Sequence, residues 1–263
     1  EEGGYSKYHP FAIFLSFIEK FGYKKSDIVV GTMPNLKDHV HNLLKNKSLP
    51  VYCIPFGLEV DEYNLDSRSL KNDQDLINLK EKLTGKFTVG YAGSIGLSNG
   101  LDNIINLIEK LNITKDQINF VFLGDGAYRE KYQNQLSKCD NVFFTGKIKR
   151  EMVKYYLDLF DVLYFSALPS KVWDYGWSLN KMTDYMMAGK PVLASYNGYR
   201  SMINEAKSGF FVESNNEQKL KKIIIDLSNM DRSELHRIGQ RGRKWIIKNR
   251  RWDDISNNYL DLF

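Results

Sequence analysis

The chain has 263 residues, 43% of them hydrophobic and 13% aromatic, enough to bury a substantial core in one large domain or two smaller ones. It lacks any run of about eighteen apolar residues and any charged, apolar, small-residue leader, so neither a spanning helix nor a signal peptide is expected and the expected compartment is the cytosol. The formal charge of +5 is modest, and Cys53 and Cys139 stand far apart with no CxxC and no His at metal spacing, which argues against a disulfide framework or a zinc site and makes both reduced core thiols.

The opening Glu1-Glu2-Gly3-Gly4 has no initiator Met and suggests a piece of a longer chain. Pro10 to Phe21 has helical spacing, Asp27 to Val30 reads as a short buried strand, Leu36 to Leu44 as a second helix and Val51 to Ile54 as a second strand. Two strands make a poor sheet by themselves. His39 and His41 lie two apart on the second helix and point away from each other, so they read as surface residues and not as a metal pair. Pro55, Phe56 and Gly57 break the pattern, and the polar stretch Asp61 to Asp75 marks a boundary.

From Lys86 one beat repeats. Strand Phe87 to Ala92 ends in Gly93-Ser94-Ile95-Gly96 and leads into helix Leu101 to Leu111. Strand Asn119 to Leu123, with Gly124-Asp125-Gly126, precedes helix Arg129 to Leu136. Strand Val142 to Thr145, with Gly146, precedes helix Arg150 to Phe160. Strand Val162 to Phe165 pairs with helix Asn180 to Met187, and strand Pro191 to Ala194 with a short helix over Met202 to Ala206. Alternation at this spacing predicts an α/β fold, a Rossmann-like parallel sheet with helices on both faces. Ligands of such sheets bind at the carboxyl ends of the strands, where the glycine turns fall.

The run Ser178 to Val192, SLNKMTDYMMAGKPV, carries the most chemistry. Ser178 and Asn180 are N-capping residue types, Asp184 falls in the first turns, and Gly189 with Pro191 ends the helix. Nearly every other position is apolar, which predicts a buried helix with one polar patch. Its start, where free N–H groups and the positive dipole end coincide, is a ready site for phosphate. On residues alone Asp184 serves equally well to complement the helix dipole, Lys181 to solvate the helix surface, and Gly93 and Gly96 to make tight turns.

Several functions lack their signatures. Gly93, Gly96 and Gly100 are spaced GxxGxxxG and Gly124 with Gly126 gives only GxG, so the dinucleotide fingerprint is absent, as are a GxxxxGK[ST] loop, an HExxH helix and a GxSxG elbow. Basic residues gather at Lys147, Lys149, Arg150 and Lys154 and again at Arg241, Arg243, Lys244, Lys248, Arg250 and Arg251; the second group reads as solvated helix faces. With no interleaved aromatic platform, nucleic acid is not an expected partner.

The segments YAGSIG, NGLDNII, VFLGDGAYRE, NVFFTGKIKREMVKYYLDLFDVLYF, YGWSLNKMTDYMMAGKPVLAS and GFFV, in this order over Lys86 to Val212, resemble the donor-binding half of the retaining glycosyltransferases of family 4. VYCIPFGLEVDEY resembles the hinge of those enzymes, and Trp252 with the helix after it resembles their returning C-terminal segment. The YGxSxNK variant is similar to the branch that builds bacterial capsular and O-antigen polysaccharides. The resemblance implies a GT-B fold, divided here into a remnant of the N-terminal acceptor-side domain (1–60), a linker (61–85), a nucleotide-sugar donor domain (86–246) and a C-terminal crossover helix (247–263). In such enzymes the acceptor pocket, and often a catalytic histidine, belong to the N-terminal half.

The resemblance also assigns residues. Asp184 falls at the second of two family acids, the one that holds the nucleotide ribose, while the first, expected at the donor sugar, aligns with Gly176; Asp174 stands two positions away as a substitute. Ser178, Leu179 and Asn180 offer N–H groups to the donor diphosphate, and Lys181 is the nearest compact cation. Gly93, Ser94 and Gly96 admit the phosphates from the other side, and Gly146, Lys147 and Ile148 cradle the base. The implied reaction is retaining transfer of a hexose or N-acetylhexosamine from a nucleotide diphosphate, UDP by family habit, to a lipid-linked or glycan acceptor near an anionic membrane. The nucleotide sugar is then a substrate, and neither cofactor nor metal is expected. Two other readings stay open, a noncatalytic nucleotide-sugar-binding or protein-interaction module and a GT-B sugar-nucleotide epimerase, although the acid-and-histidine set of the latter is not found.

Overall fold

The computed structural model describes residues 8–60, 63, 73–110, 118–200 and 202–262. The first part of the chain builds α1 (Pro10–Lys25), β1 (Val29–Gly31), α2 (Leu36–Leu44) and β2 (Val51–Cys53), with β1 and β2 paired in parallel from Val29↔Val51 to Gly31↔Cys53. α1 turns Ala12, Glu19 and Tyr23 toward the body and leaves Phe11, Phe14, Phe17 and Phe21 exposed. His39 is partly exposed, whereas His41 is buried, against the expectation of a surface residue. His39 meets Glu19 at 2.7 Å, and buried His41 reaches the carbonyl of Leu49 at 2.9 Å. Cys53 is exposed, so the expectation of two core thiols fails at that position.

Within the expected linker the chain forms α3 (Gln74–Leu83). Asp73 caps it by accepting from the N–H of Leu76 at 2.8 Å, and Leu79 and Leu83 are buried in the core of the larger unit. The remaining calls on 1–7 and on most of 61–72 lie outside the described residues.

The larger unit then runs β3 (Phe87–Ala92), α4 (Asp102–Lys110), β4 (Ile118–Leu123), α5 (Arg129–Gln135), β5 (Val142–Gly146), α6 (Val153–Asp158), β6 (Val162–Ser166), α7 (Asn180–Met187), β7 (Val192–Ser195), α8 (Met202–Glu205) and β8 (Gly209–Val212). All pairings are parallel and the strand order is β5-β4-β3-β6-β7-β8, that of a doubly wound sheet whose order reverses between β3 and β6. Alternate residues feed two cores. Val121, Leu163, Phe165, Val192 and Ala194 join α6, α7 and α8, while Val89, Phe120, Phe122, Val162, Tyr164 and Leu193 join α4 and α5. A strand buried on both faces must be apolar throughout, which is why these strands read as continuous runs.

Three helices close the chain: α9 (Glu217–Ser228), α10 (Arg232–Asn249) and α11 (Trp252–Leu260). α9 covers the α4 face, and α10 packs on α7. At the break between α10 and α11 the chain returns to the hinge: the N–H of Leu58 donates to the carbonyl of Arg250 at 2.7 Å, and Trp252 lies so close to Gly57 that a Cβ there would sit 2.6 Å from its ring. Thr32 and Pro34 after β1, and Pro55 and Phe56 after β2, share a recess with Trp177, Ser178, Leu179 and Asn180 at the start of α7.

Candidate functional site

The turns after β3, β4 and β5 are stitched to one another by backbone bonds. The N–H of Gly93 donates to Leu123 O at 2.9 Å, that of Ile95 to Asp125 O at 2.8 Å, and that of Gly124 to Gly146 O at 3.0 Å. Such close approach demands glycine at one point above all: at Gly124, with φ +138°, a Cβ would lie 2.0 Å from the carbonyl oxygen of Gly93. The stitched turns and the start of α7 enclose a cleft of about 400 Å³, within the size range of small-ligand pockets.

Of the residues expected at the donor, Gly93, Ser94, Lys147, Ile148, Asn180, Lys181 and Asp184 line this cleft. Ser178 and Leu179 line, with Asn180, a smaller recess of about 20 Å³ shared with Pro55, Phe56 and Arg250 on the hinge side. Gly146 stands behind the wall as the acceptor of the Gly124 N–H. Gly96 is outside both linings. Sequence reasoning missed Asp125, Arg150 and Tyr185, which the cleft also exposes.

The start of α7 differs from its expected form. Leu179, extended at φ −107° and ψ 126°, is the N-cap, and no side chain caps the helix, so neither Ser178 nor Asn180 plays the capping role. The N–H of Met182 donates to the Leu179 carbonyl at 2.9 Å, which leaves those of Asn180 and Lys181 for a ligand or solvent. Lys181 runs beside them. Its Nζ donates to Asn99 Oδ1 at 2.7 Å and to Tyr91 Oη at 3.3 Å, and it lies 5.0 Å from the centre of the Tyr91 ring. All these partners are neutral, and burial pushes the ammonium down to about 8. Gly93 makes room for it: a Cβ there would be 2.9 Å from Nζ.

Asp184 lies in the middle of α7, beyond the first turn, and is 6% exposed. Arg150 grips it with both guanidinium nitrogens, Nη1 to Oδ2 at 2.5 Å and Nη2 to Oδ1 at 2.7 Å, and the Tyr63 hydroxyl donates to Oδ1 as well. The carboxylate raises the Arg150 value further above its ordinary range, while burial and then Asp184 keep the Tyr63 phenol protonated. Tyr185 fixes α7 to the sheet. It accepts from the Ala92 N–H at 2.7 Å and its hydroxyl reaches the carbonyls of Tyr164 and Ala92 at 3.1 and 3.2 Å.

At the first family acid position stands a glycine. Gly176 has φ +87°, and a Cβ would press to 2.8 Å from Pro34. Asp174 is exposed and lines neither cavity; its carbonyl accepts from Asn35 at 3.4 Å. Trp177 stacks on Tyr196 at 4.3 Å inside the core, and Tyr175 packs edge-on against His39 at 4.7 Å. Among the described residues no group of three His, Cys, Asp or Glu is placed to hold a metal, and no helix is long and apolar enough to cross a membrane.

Two comparisons concern sequence. The profile described as Glycosyl transferases group 1 matches residues 73–245. A GDP-mannose-dependent alpha-(1-6)-phosphatidylinositol monomannoside mannosyltransferase of Mycobacterium tuberculosis is 22% identical over 217 residues, which are 80% of this chain and 54% of that protein. The chain thus spans about half the length of the curated relatives it matches.

Solved structures agree on the fold. HepE from Anabaena, crystallised with UDP and glucose, superimposes with a TM-score of 0.75 at 16% identity, covering 100% of this chain and 68% of HepE. Sucrose-phosphate synthase from Thermosynechococcus elongatus gives 0.71 at 18% identity, covering 95% and 61%. TarM from S. aureus, in complex with Fondaparinux, alpha-GlcNAc-glycerol and UDP, gives 0.69 at 18%, covering 93% and 46%. The parallel six-stranded sheet with helices on both faces is the GT-B arrangement expected from the sequence. With more than half of its residues matched by the family profile, this chain belongs to the glycosyl transferases group 1 family.

Proposed function

We propose that the cleft between β3, β4, β5 and the start of α7 binds a nucleoside diphosphate sugar, and that the full protein transfers the sugar with retention to a lipid-linked or glycan acceptor in bacterial surface polysaccharide synthesis. The observation that carries this is the uncapped start of α7 beside Lys181, a half-buried cation whose bonding partners are all neutral. A cation held this way is incomplete until an anion reaches it. A diphosphate fits, because the N–H groups of Asn180 and Lys181 and the ammonium stabilise the charge that grows on the leaving group as the sugar bond breaks. Asp184 takes the ribose, and Lys147 and Ile148 flank the base. UDP is the favoured nucleotide, with a hexose or N-acetylhexosamine as the sugar; the UDP complexes of HepE and TarM support this, and the mannosyltransferase makes GDP the comparison to run. The division into an acceptor-side remnant, a linker, a donor domain and a crossover helix belongs to the same proposal.

A second reading has its own support. Gly176 provides no acid at the donor sugar and Asp174 lies outside both cavities, which favours a module that binds the nucleotide sugar without turning it over. Calorimetric titration with UDP, GDP and UDP-glucose tests the shared part of both: folded protein with no affinity for any of the three defeats the donor-site reading. Sugar release from UDP-glucose in the presence of a membrane glycolipid extract separates transfer from binding alone.

A further inference from the structure

A carboxylate that is 6% exposed is costly to bury unless a nearby group bonds it. α7 itself offers none: Lys181, one turn away, is turned toward Tyr91 and Asn99. Compensation comes from another element, the turn after β5, where Arg150 binds both oxygens of Asp184 in the planar two-pronged geometry that lysine cannot reproduce. Side-chain exposure is 68% for Arg150 against 8% for Asp184, and both line the cleft. A carboxylate has about four acceptor positions, and the guanidinium uses one on each oxygen. The Tyr63 hydroxyl uses another, so the paired acid still accepts from hydroxyl groups.

We infer that Arg150 is the positioning residue of the donor site: it fixes the plane of the Asp184 carboxylate so that the unused acceptor positions meet the vicinal hydroxyls of a ribose. The Tyr63 hydroxyl, which donates to Oδ1, shows the kind of hydroxyl contact this carboxylate accepts beside the guanidinium. This inference rests on the nucleotide reading above and adds which residue makes Asp184 selective for a diol. Arg150 itself bonds the acid and leaves the phosphates to Lys181 and the start of α7.

The test compares UDP with 2′,3′-dideoxyuridine 5′-diphosphate, which lacks both hydroxyls, by calorimetry on the wild-type chain and on Arg150→Gln, Arg150→Lys, Asp184→Asn and the double variant Arg150→Gln/Asp184→Asn, each checked for folding by circular dichroism. The wild type is expected to prefer UDP by about 10- to 100-fold, the worth of one hydrogen bond to a charged group. Arg150→Gln is expected to abolish that preference while leaving affinity for the dideoxy compound within about threefold, Arg150→Lys to keep part of it, and the double variant to be no worse than the poorer single one. An intact preference in Arg150→Gln overturns the inference, as do equal losses for both ligands or additive losses in the double variant, which mean that Arg150 contacts the phosphates directly. If Arg150→Gln does not fold, Arg150→Lys decides, through a loss confined to UDP. Wild-type protein that binds neither ligand fails the donor reading and this inference together, whereas wild-type binding of UDP with unaltered variants fails this inference alone.

Discussion

Arg150 and Asp184 come from elements 34 residues apart, yet they form the most tightly bonded charged pair of the cleft, with contacts of 2.5 and 2.7 Å. Because one partner is exposed and the other buried, the two are not equivalent in stability. Replacing Asp184 by Ala leaves Arg150 free to turn into water but strands the Tyr63 hydroxyl, and removes a buried network. Urea unfolding should show a loss of about 1–3 kcal/mol, discounted toward the lower end because the guanidinium is solvated. UDP affinity should fall about tenfold or more in the same variant. Unchanged affinity would return Asp184 to a structural role.

Lys181 gives the site a pH dependence with a definite sign. Its ammonium loses its proton near 8 in the folded chain because it is buried among neutral partners. The diphosphate of UDP-glucose carries fixed charge across this range, so a change in its affinity reports on the protein. Affinity should be level below about pH 7 and decline as pH passes through 8, and Lys181→Met should be weaker by about tenfold and flat. Stability runs the other way. A free lysine holds its proton to about 10.4, so between 8 and that value the unfolded chain binds more protons and wild-type stability rises with pH. Below 8 the burial penalty is constant. Lys181→Met should lack that rising limb in unfolding experiments run from pH 7 to 10.

The glycines of the cleft separate into two kinds. At Gly124 a methyl would strike the Gly93 carbonyl at 2.0 Å with φ at +138°, so Gly124→Ala should cost about 2–5 kcal/mol through strain and overpacking together. At Gly96 the backbone is extended and the nearest atom to a Cβ is Ser94 Oγ at 3.7 Å, so Gly96→Ala should change stability by less than about 0.5 kcal/mol. Gly96 also lies outside the cleft lining, and UDP affinity should not change. A marked loss of affinity in Gly96→Ala would show that the turn after β3 moves inward on binding and would restore its expected donor contact.

How far the sequence carried the structure follows from the range of each signal. Phe87–Ala92 and Ile118–Leu123 are largely apolar runs stopped by glycine, and strands buried on both faces favour that composition, so the sheet was legible. α3 was obscured by the acids and amides around it, although Asp73 as a cap and the spacing of Leu76, Leu79 and Leu83 were there to be read. His41 reads as polar but is buried because the Leu49 carbonyl satisfies it. The cleft was legible at Gly93, where a glycine turn ends a strand, and through the family resemblance at Lys147 and Asp184. It was not legible where partners meet through the fold: nothing in local periodicity ties Arg150 to Asp184, or Lys181 to Asn99 and Tyr91.

Gly176 offers the sharpest contrast between a family pattern and this chain. Placing Glu at 176 would restore the acid expected at the donor sugar, and on pattern alone that variant gains activity. The backbone there has φ +87°, a region hostile to a residue with a Cβ, and that Cβ would lie 2.8 Å from Pro34 Cδ and 3.4 Å from Tyr199 Cδ1. Pro34 has no flexible end to withdraw, and the N–H of Asn35 beside it is tied to the Tyr175 carbonyl at 3.0 Å. Gly176→Glu should therefore lose about 2–4 kcal/mol in urea unfolding from positive-φ strain and crowding, and should loosen the contact between α2 and the loop before α7. Neither UDP-glucose affinity nor sugar release should rise. Asp174→Ala, in contrast, should leave affinity and stability nearly unchanged, since its carboxylate is exposed and outside both cavities. A stable Gly176→Glu variant with increased sugar release would mean that the loop after β6 adopts another course in the working enzyme, with Pro34 moved away from it.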